Sequence, residues 1–316
     1  MPEFLRYLIA SCYLGLAMAA SAQSVPTQVV IVSSDTSSAY EEASKALVDA
    51  LETAGLRRSA VALLSTDGLA RQTNARQLGS ARIFVGLGVR ATQSLLSAGL
   101  TAPVLAALIP RRSFEQLLQS SRRKTSGQLC AIYLDQPLRR QLALVRLALP
   151  QAQQIGVLLG PDSVAKLPEL RMQAQGGALL VRHAEVASEQ ALFPALREVL
   201  DGSDVFLALA DPQVFNSASI QNILLSSFKA RVPMVAFSPA YVRAGASLAL
   251  YSSPVQVGRQ VALIVMDALQ TGHLPEQPVE ADDFLVDVNL SVTRALGLTL
   301  DGADLRQALR RLEHLP

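Results

Sequence analysis

Short apolar runs and amphipathic stretches take turns along almost the whole chain, and that alternation is what most restricts the fold. Val29-Val30-Ile31-Val32 has no polar side to show to water. A strand of that kind belongs in a parallel sheet covered on both faces. Ser38-Ala39-Tyr40-Glu41 reads as a capping box that opens a helix with Tyr40, Ala43, Leu47, Ala50 and Ala54 on one face and Gly55 at its end. The pattern then repeats. Strands are expected at 61–64, 83–85, 104–109 and 129–134, then at 155–159, 179–181, 205–209, 234–237 and 248–251. Between them lie helical faces such as Leu138, Leu142, Val145 and Leu149. Another, Val257, Val261, Ile264, Val265 and Leu269, follows the start signal Ser253-Pro254.

Alternating strands and helices give right-handed crossovers and parallel sheets. These strands are too many for one small sheet, and 316 residues exceed what one compact core usually supports. The expected architecture is therefore α/β, with two parallel sheets of about five strands each. The split is expected near Asp135, with no Gly/Ser-rich tether.

The N-terminus reads as a secretory signal peptide over residues 1–22. Arg6 precedes the apolar run from Tyr7 to Ala20, and Ala20-Ser21-Ala22 offers a small-x-small cleavage site. The run is shorter than the ~20 residues of a membrane span. Ile9-Ala10-Ser11-Cys12 resembles a lipobox, but anchoring at Cys12 would leave almost no apolar segment before the cut. Cleavage after Ala22 predicts a periplasmic protein. Cys130 is then the one remaining cysteine. It is set in Leu129-Cys130-Ala131-Ile132 and expected to be a core residue.

Composition excludes several functions. With 28 basic and 26 acidic residues the formal charge is +2, and the clusters Arg111-Arg112 and Arg122-Arg123-Lys124 are too short for a nucleic-acid footprint. There is no G-x-S-x-G, H-E-x-x-H, Walker loop or C-x-x-C, and His183, His273 and His314 are scattered. No catalytic or metal-ligating residue is assigned and no cofactor is expected. Gly86-Leu87-Gly88-Val89-Arg90-Ala91 fits G-x-G-x-x-A, which keeps an NADP-using oxidoreductase as a remote alternative. It stands, however, on the third strand–helix unit, and Arg111 and Arg112 follow where a ribose-binding acid would be.

Several stretches of the second half resemble the ABC-transporter substrate-binding proteins, in the group similar to the aromatic amino-acid binders. They are Leu149-Pro150-Gln151-Ala152 with Ile155-Gly156-Val157-Leu158, Arg231-Val232-Pro233-Met234-Val235, Val242-Arg243-Ala244-Gly245-Ala246, Gly258-Arg259-Gln260, and Val288-Asn289-Leu290 with Thr293-Arg294-Ala295-Leu296-Gly297-Leu298. They follow in order from about Leu129 to Leu298. The resemblance implies a type I periplasmic-binding fold: two Rossmann-like lobes, three hinge crossings, and a small molecule held between them for an ABC permease. On that fold residues 24–135 plus about 253–277 would form lobe one, and residues 136–252 plus about 278–316 lobe two. It also implies no catalysis. The chain departs from the family pattern at Tyr133-Leu134-Asp135-Gln136-Pro137 and at Leu159-Gly160-Pro161-Asp162. A ligand-sensing subunit for a membrane receptor or sensor kinase is the alternative.

In parallel sheets the crevice lies beyond the carboxyl ends of the strands. The loops there supply the ligand-binding candidates: Ser34, Asp35, Thr36, Gly88 and Val89 in lobe one, Asp135 at the crossing, and Asp162, Asp211, Ser238, Tyr241 and Tyr251 in lobe two. Helix capping is the plain alternative for each aspartate. A monomer is expected.

Overall fold

The computed structural model describes residues 26–71, 75–121 and 127–314. The expected signal peptide, its cleavage site and Cys12 lie outside the described residues.

Two sheets form. The first contains β1 (Val29–Ser33), β2 (Val61–Ser65), β3 (Ile83–Leu87), β4 (Val104–Ile109) and β5 (Leu129–Tyr133). All its pairings are parallel, in the order β2-β1-β3-β4-β5. The second contains β6 (Gln154–Leu159), β7 (Leu180–Glu185), β8 (Val205–Leu207), β9 (Met234–Ala236), β10 (Leu248–Tyr251) and β11 (Leu285–Val288). Its order is β7-β6-β8-β9-β10-β11. Strands β7, β6, β8, β9 and β10 repeat the first sheet's order, and β11 adds an antiparallel edge on β10. β11 was not expected: Leu285-Val286-Asp287-Val288 has a charge in a short run, and only pairing with β10 makes it a strand.

The apolar runs behave as two-sided strands. Val29 and Ile31 pack on one face of the first sheet, against Leu47 and Val261. Val30 and Val32 pack on the other, against Ala91, Leu95 and Phe114. Ile155, Val157 and Leu159 face Leu142 and Leu305 in the second sheet, whereas Leu158 faces Leu196 and Ile223. Each such buried side chain contributes about 1.5–3 kcal/mol of transfer free energy.

The chain passes between the two bodies three times. Leu138, just after β5, already lies in the second sheet's core. The helix Pro254–Thr271, just after β10, returns to the first sheet. Leu274 is still in the first core, Val279 bridges Ile132 on β5, and Phe284 is in the second core. The helix Pro254–Thr271 is fixed by a capping box between Ser253 and Gln256 and by left-handed Gly272. It packs along the helix Ser38–Thr53, where Gly258 lies directly against the Ala43 carbonyl.

One local expectation changes. The helix Ser38–Thr53 starts from Ser37, whose side chain makes no capping bond. Asp35 instead takes the amides of Thr36 at 2.7 Å and Ser37 at 3.3 Å, so an aspartate turn replaces the capping box. The segment after Asp211-Pro212 is a series of turns, and the next helix begins at Ile220. Cys130 is fully buried, as expected.

Candidate functional site

Because β1 pairs with β3, the loops leaving their carboxyl ends lie side by side. The Ser34 hydroxyl accepts the Ala91 amide at 2.8 Å, and the Ser34 carbonyl accepts the Arg90 guanidinium. Asp35 stands 3.8 Å from Arg90. Gly88 caps the helix Val89–Ser97 at a φ of +87°. A side chain there would be strained, and its Cβ would sit 2.7 Å from both the Ser34 and Tyr40 hydroxyl oxygens. Gly86 is closed off in the same way by Thr92. These glycines therefore serve close packing of side chains, which removes the physical ground for reading G-x-G-x-x-A as a pyrophosphate cradle.

Ser34, Asp35, Thr36, Gly88 and Val89 are thus brought together, joined by two residues outside the sequence-derived set. Arg90 is largely exposed and supplies a cation. Tyr40 is half-buried; burial, then the Asp35 charge, push its phenol above the usual range, and Arg90 partly offsets this. Tyr40 reads as a core position of its helix, and only the fold turns its hydroxyl toward Gly88.

A cavity of about 740 Å³ opens beside this cluster. It runs from Ser34, Asp35, Thr36, Tyr40 and Arg90 past Ser65 and Asp67, then along the flank between the helix Ser38–Thr53 and edge strand β2. All its lining comes from the first body.

On the second body, β6 neighbours β8, and their loops are fastened by Asp211. Its carboxylate accepts the amides of Asp162, Ser163 and Gln213, each at 3.0 Å, and the Ser163 hydroxyl at 2.8 Å. It is 2% exposed. Asp211 consequently shapes the loop, with its carboxylate taken up by four internal donors. Asp162, part-exposed beside it, remains available.

The carboxyl ends of β8 and β9 carry an aromatic cluster. Phe237 meets Tyr241 edge-on at 5.1 Å and Phe215 edge-on at 5.7 Å. The Tyr241 hydroxyl reaches the Phe215 carbonyl at 3.4 Å, and burial pushes its phenol up. Phe215 is a core residue at 5% exposure, whereas Phe237 and Tyr241 are part-exposed. Ser238 caps the helix Pro239–Ala244 through the Ala240 amide. Tyr251 is committed elsewhere: its hydroxyl donates to Asp287 on β11 at 2.9 Å. Asp135 lies at the first crossing, where it accepts the Arg111 amide at 2.7 Å and the Lys166 ammonium at 2.8 Å.

Among the described residues no cluster of three His, Cys, Asp or Glu side chains is placed to hold a metal, and no helix is long and apolar enough to cross a membrane.

A family model described as ABC transporter substrate binding protein matches residues 17–311. The chain belongs to that family. It shares the type I periplasmic-binding fold and the small-molecule solute-binding role of the family. Three solved structures show the likeness in architecture. A conserved domain protein from Vibrio cholerae is 21% identical, with 89% of this chain and 98% of that chain covered and a TM-score of 0.60. An ABC domain from Streptococcus pneumonia, solved in complex with L-Trp, is 17% identical over 88% and 98%, with a TM-score of 0.58. A ligand-free, open substrate-binding protein with adhesive properties from Clostridium difficile is 16% identical over 87% and 96%, with a TM-score of 0.70. No curated protein sequence matches the chain.

Proposed function

We propose that this family member captures a small organic solute in the groove between its two bodies and passes it, chemically unchanged, to an ABC permease in the periplasm. The observation that carries this reading is the contrast between two walls, one at the carboxyl end of each sheet. One wall, at the carboxyl end of the first sheet, offers polar groups: Thr36, Asp35 and the Arg90 guanidinium. The other, at the carboxyl end of the second, offers part-exposed aromatic rings, Phe237 and Tyr241, beside Asp162. A solute with a charged head and an apolar body would satisfy both, and closing the lobes over it would exclude water and strengthen the polar contacts. Ser34, Gly88 and Val89 hold the first wall in shape, Ser238 and Asp211 the second. A hinge at the crossings near residues 135, 253 and 278 would let the two bodies close. The chain acts as a monomer, exported by cleavage after Ala22.

One relative of this fold was solved with L-Trp, so amino acids head the probe set. Thermal melting of the purified chain is measured with single L-amino acids, monosaccharides, phosphate and sulfate. A binder raises the melting temperature by mass action. Arg90→Ala and Tyr241→Ala should each remove most of the rise, measured against that variant's own unliganded melting temperature. If no probe shifts the melting curve, or both variants keep the full shift, the reading fails.

A further inference from the structure

Two carboxylates occupy two different crossings between the bodies, and each is shared in the same way. Asp135, on the first crossing, accepts the Arg111 backbone amide and the Lys166 ammonium. Glu280, on the third crossing, lies 3.6 Å from the Arg111 guanidinium and pairs with Arg139. Arg111 stands at the carboxyl end of β4 in the first body, with its guanidinium 4.7 Å over the Tyr133 ring. Lys166 follows β6 and Arg139 begins the helix Leu138–Ala148, both in the second body. One first-body arginine is therefore bridged to two second-body cations through two crossing carboxylates.

We infer that Asp135 and Glu280 are paired electrostatic latches that hold the two bodies at one hinge angle and so set how much of the unliganded protein occupies that angle. The contacts are short, so a rotation that moves Lys166 or Arg139 by a few ångströms breaks them. The side chains are partly wet, from 12% exposed for Asp135 to 58% for Arg139. Each pair is consequently worth a modest amount and is sensitive to salt. That is the range needed to bias a two-state hinge without freezing it. A buried set of hydrogen bonds lies behind the latches and joins the crossings regardless of ionic strength. Gln136 donates to Ser252 at 2.8 Å, Ser252 donates to the Asp283 carbonyl at 2.6 Å, and Arg140 donates to Gln136 and to the Ala281 carbonyl, both at 2.8 Å. The buried set keeps the hinge assembled and the latches choose its angle. Apparent solute affinity scales with the fraction of molecules at the binding-competent angle, so these residues tune affinity without touching solute.

The test uses the unliganded full chain, so its outcome does not depend on the solute-binding reading. Spin labels are placed through Gln93→Cys and Asn222→Cys, one exposed position on each body, in a Cys12→Ser background; fully buried Cys130 stays unlabelled. Pulsed electron resonance reads the distribution of label distances. In Asp135→Asn and in Glu280→Gln, the fraction of molecules at the wild-type distance should fall by about twofold or more. Raising salt from about 0.05 M to about 0.5 M should do the same to the wild type and add little in the double variant. Glu52→Gln, which breaks an exposed pair with Arg58 far from the hinge, should change nothing. Where a carboxylate variant fails to melt cooperatively, Lys166→Gln and Arg139→Gln replace it. Distributions that superimpose on wild type at both salt concentrations, or a lower melting temperature with an unchanged distribution, overturn the latch.

Discussion

Asp211 accepts both the hydroxyl of Ser163, at 2.8 Å, and its amide, at 3.0 Å, so one buried carboxylate ties the loop after β8 to the loop after β6. Gly160 makes this possible, because a Cβ there would collide with the Asp211 carboxylate. The proposed second wall is thus built on an internal anchor.

Asp211→Ala would leave four donors without their acceptor inside the protein. The expected loss of stability is about 3 kcal/mol, read as a lower midpoint in urea unfolding. Asp211→Asn should lose less, since its remaining oxygen still accepts. Equal midpoints for wild type and Asp211→Ala would show that water replaces the carboxylate at no cost.

Gly258 lies mid-helix, where alanine is ordinarily worth about 1 kcal/mol more than glycine. Here the added methyl meets the backbone of the neighbouring helix at Ala43. Gly258→Ala should therefore destabilise, by about 2 kcal/mol, and Gly258→Val by more. A thermal midpoint raised by the alanine would contradict the close helix contact.

Cys130 is fully buried, and burial, partly countered by backbone hydrogen bonds, pushes its thiol up to about 11. The reactive thiolate is scarce at neutral pH. Mass spectrometry after iodoacetamide treatment at pH 7.5 should find the Cys130 peptide unmodified in native protein and modified in urea. Rapid native labelling would mean the first core opens there.

Tyr251 keeps its proton to unusually high pH. Burial, then the hydrogen bond to Asp287 and its charge, raise the phenol to about 12 from an ordinary 10.0. A pKa higher in the folded chain than in the unfolded one gives stability that is whole below pH 10 and is lost as pH rises toward 12. Several phenols are raised, so ultraviolet titration should show late ionisation, and Asp287→Asn should move its last step down. Coincident titration in both proteins would remove the Asp287 contact from the account.

The strand-and-helix alternation determined the fold class, because runs such as Val29 to Val32 can be buried on both faces only in a covered parallel sheet. Capping chemistry at Ser253 and Gln256, and left-handed Gly272, were equally local and equally readable. The five family-like stretches in the second half fixed the family.

What the sequence could not determine were contacts between residues far apart along the chain. β11 exists because β10 offers it an edge. Asp211 and Ser163 are 48 positions apart, and Gln136 and Ser252 are 116 apart. Whether an aspartate faces solute, caps a turn or holds two loops together depends on which donors the packed chain brings within 3 Å. Local pattern fixes a residue's own backbone and its buried or exposed side. Only tertiary packing supplies its partners, and for a polar side chain the partners decide the role.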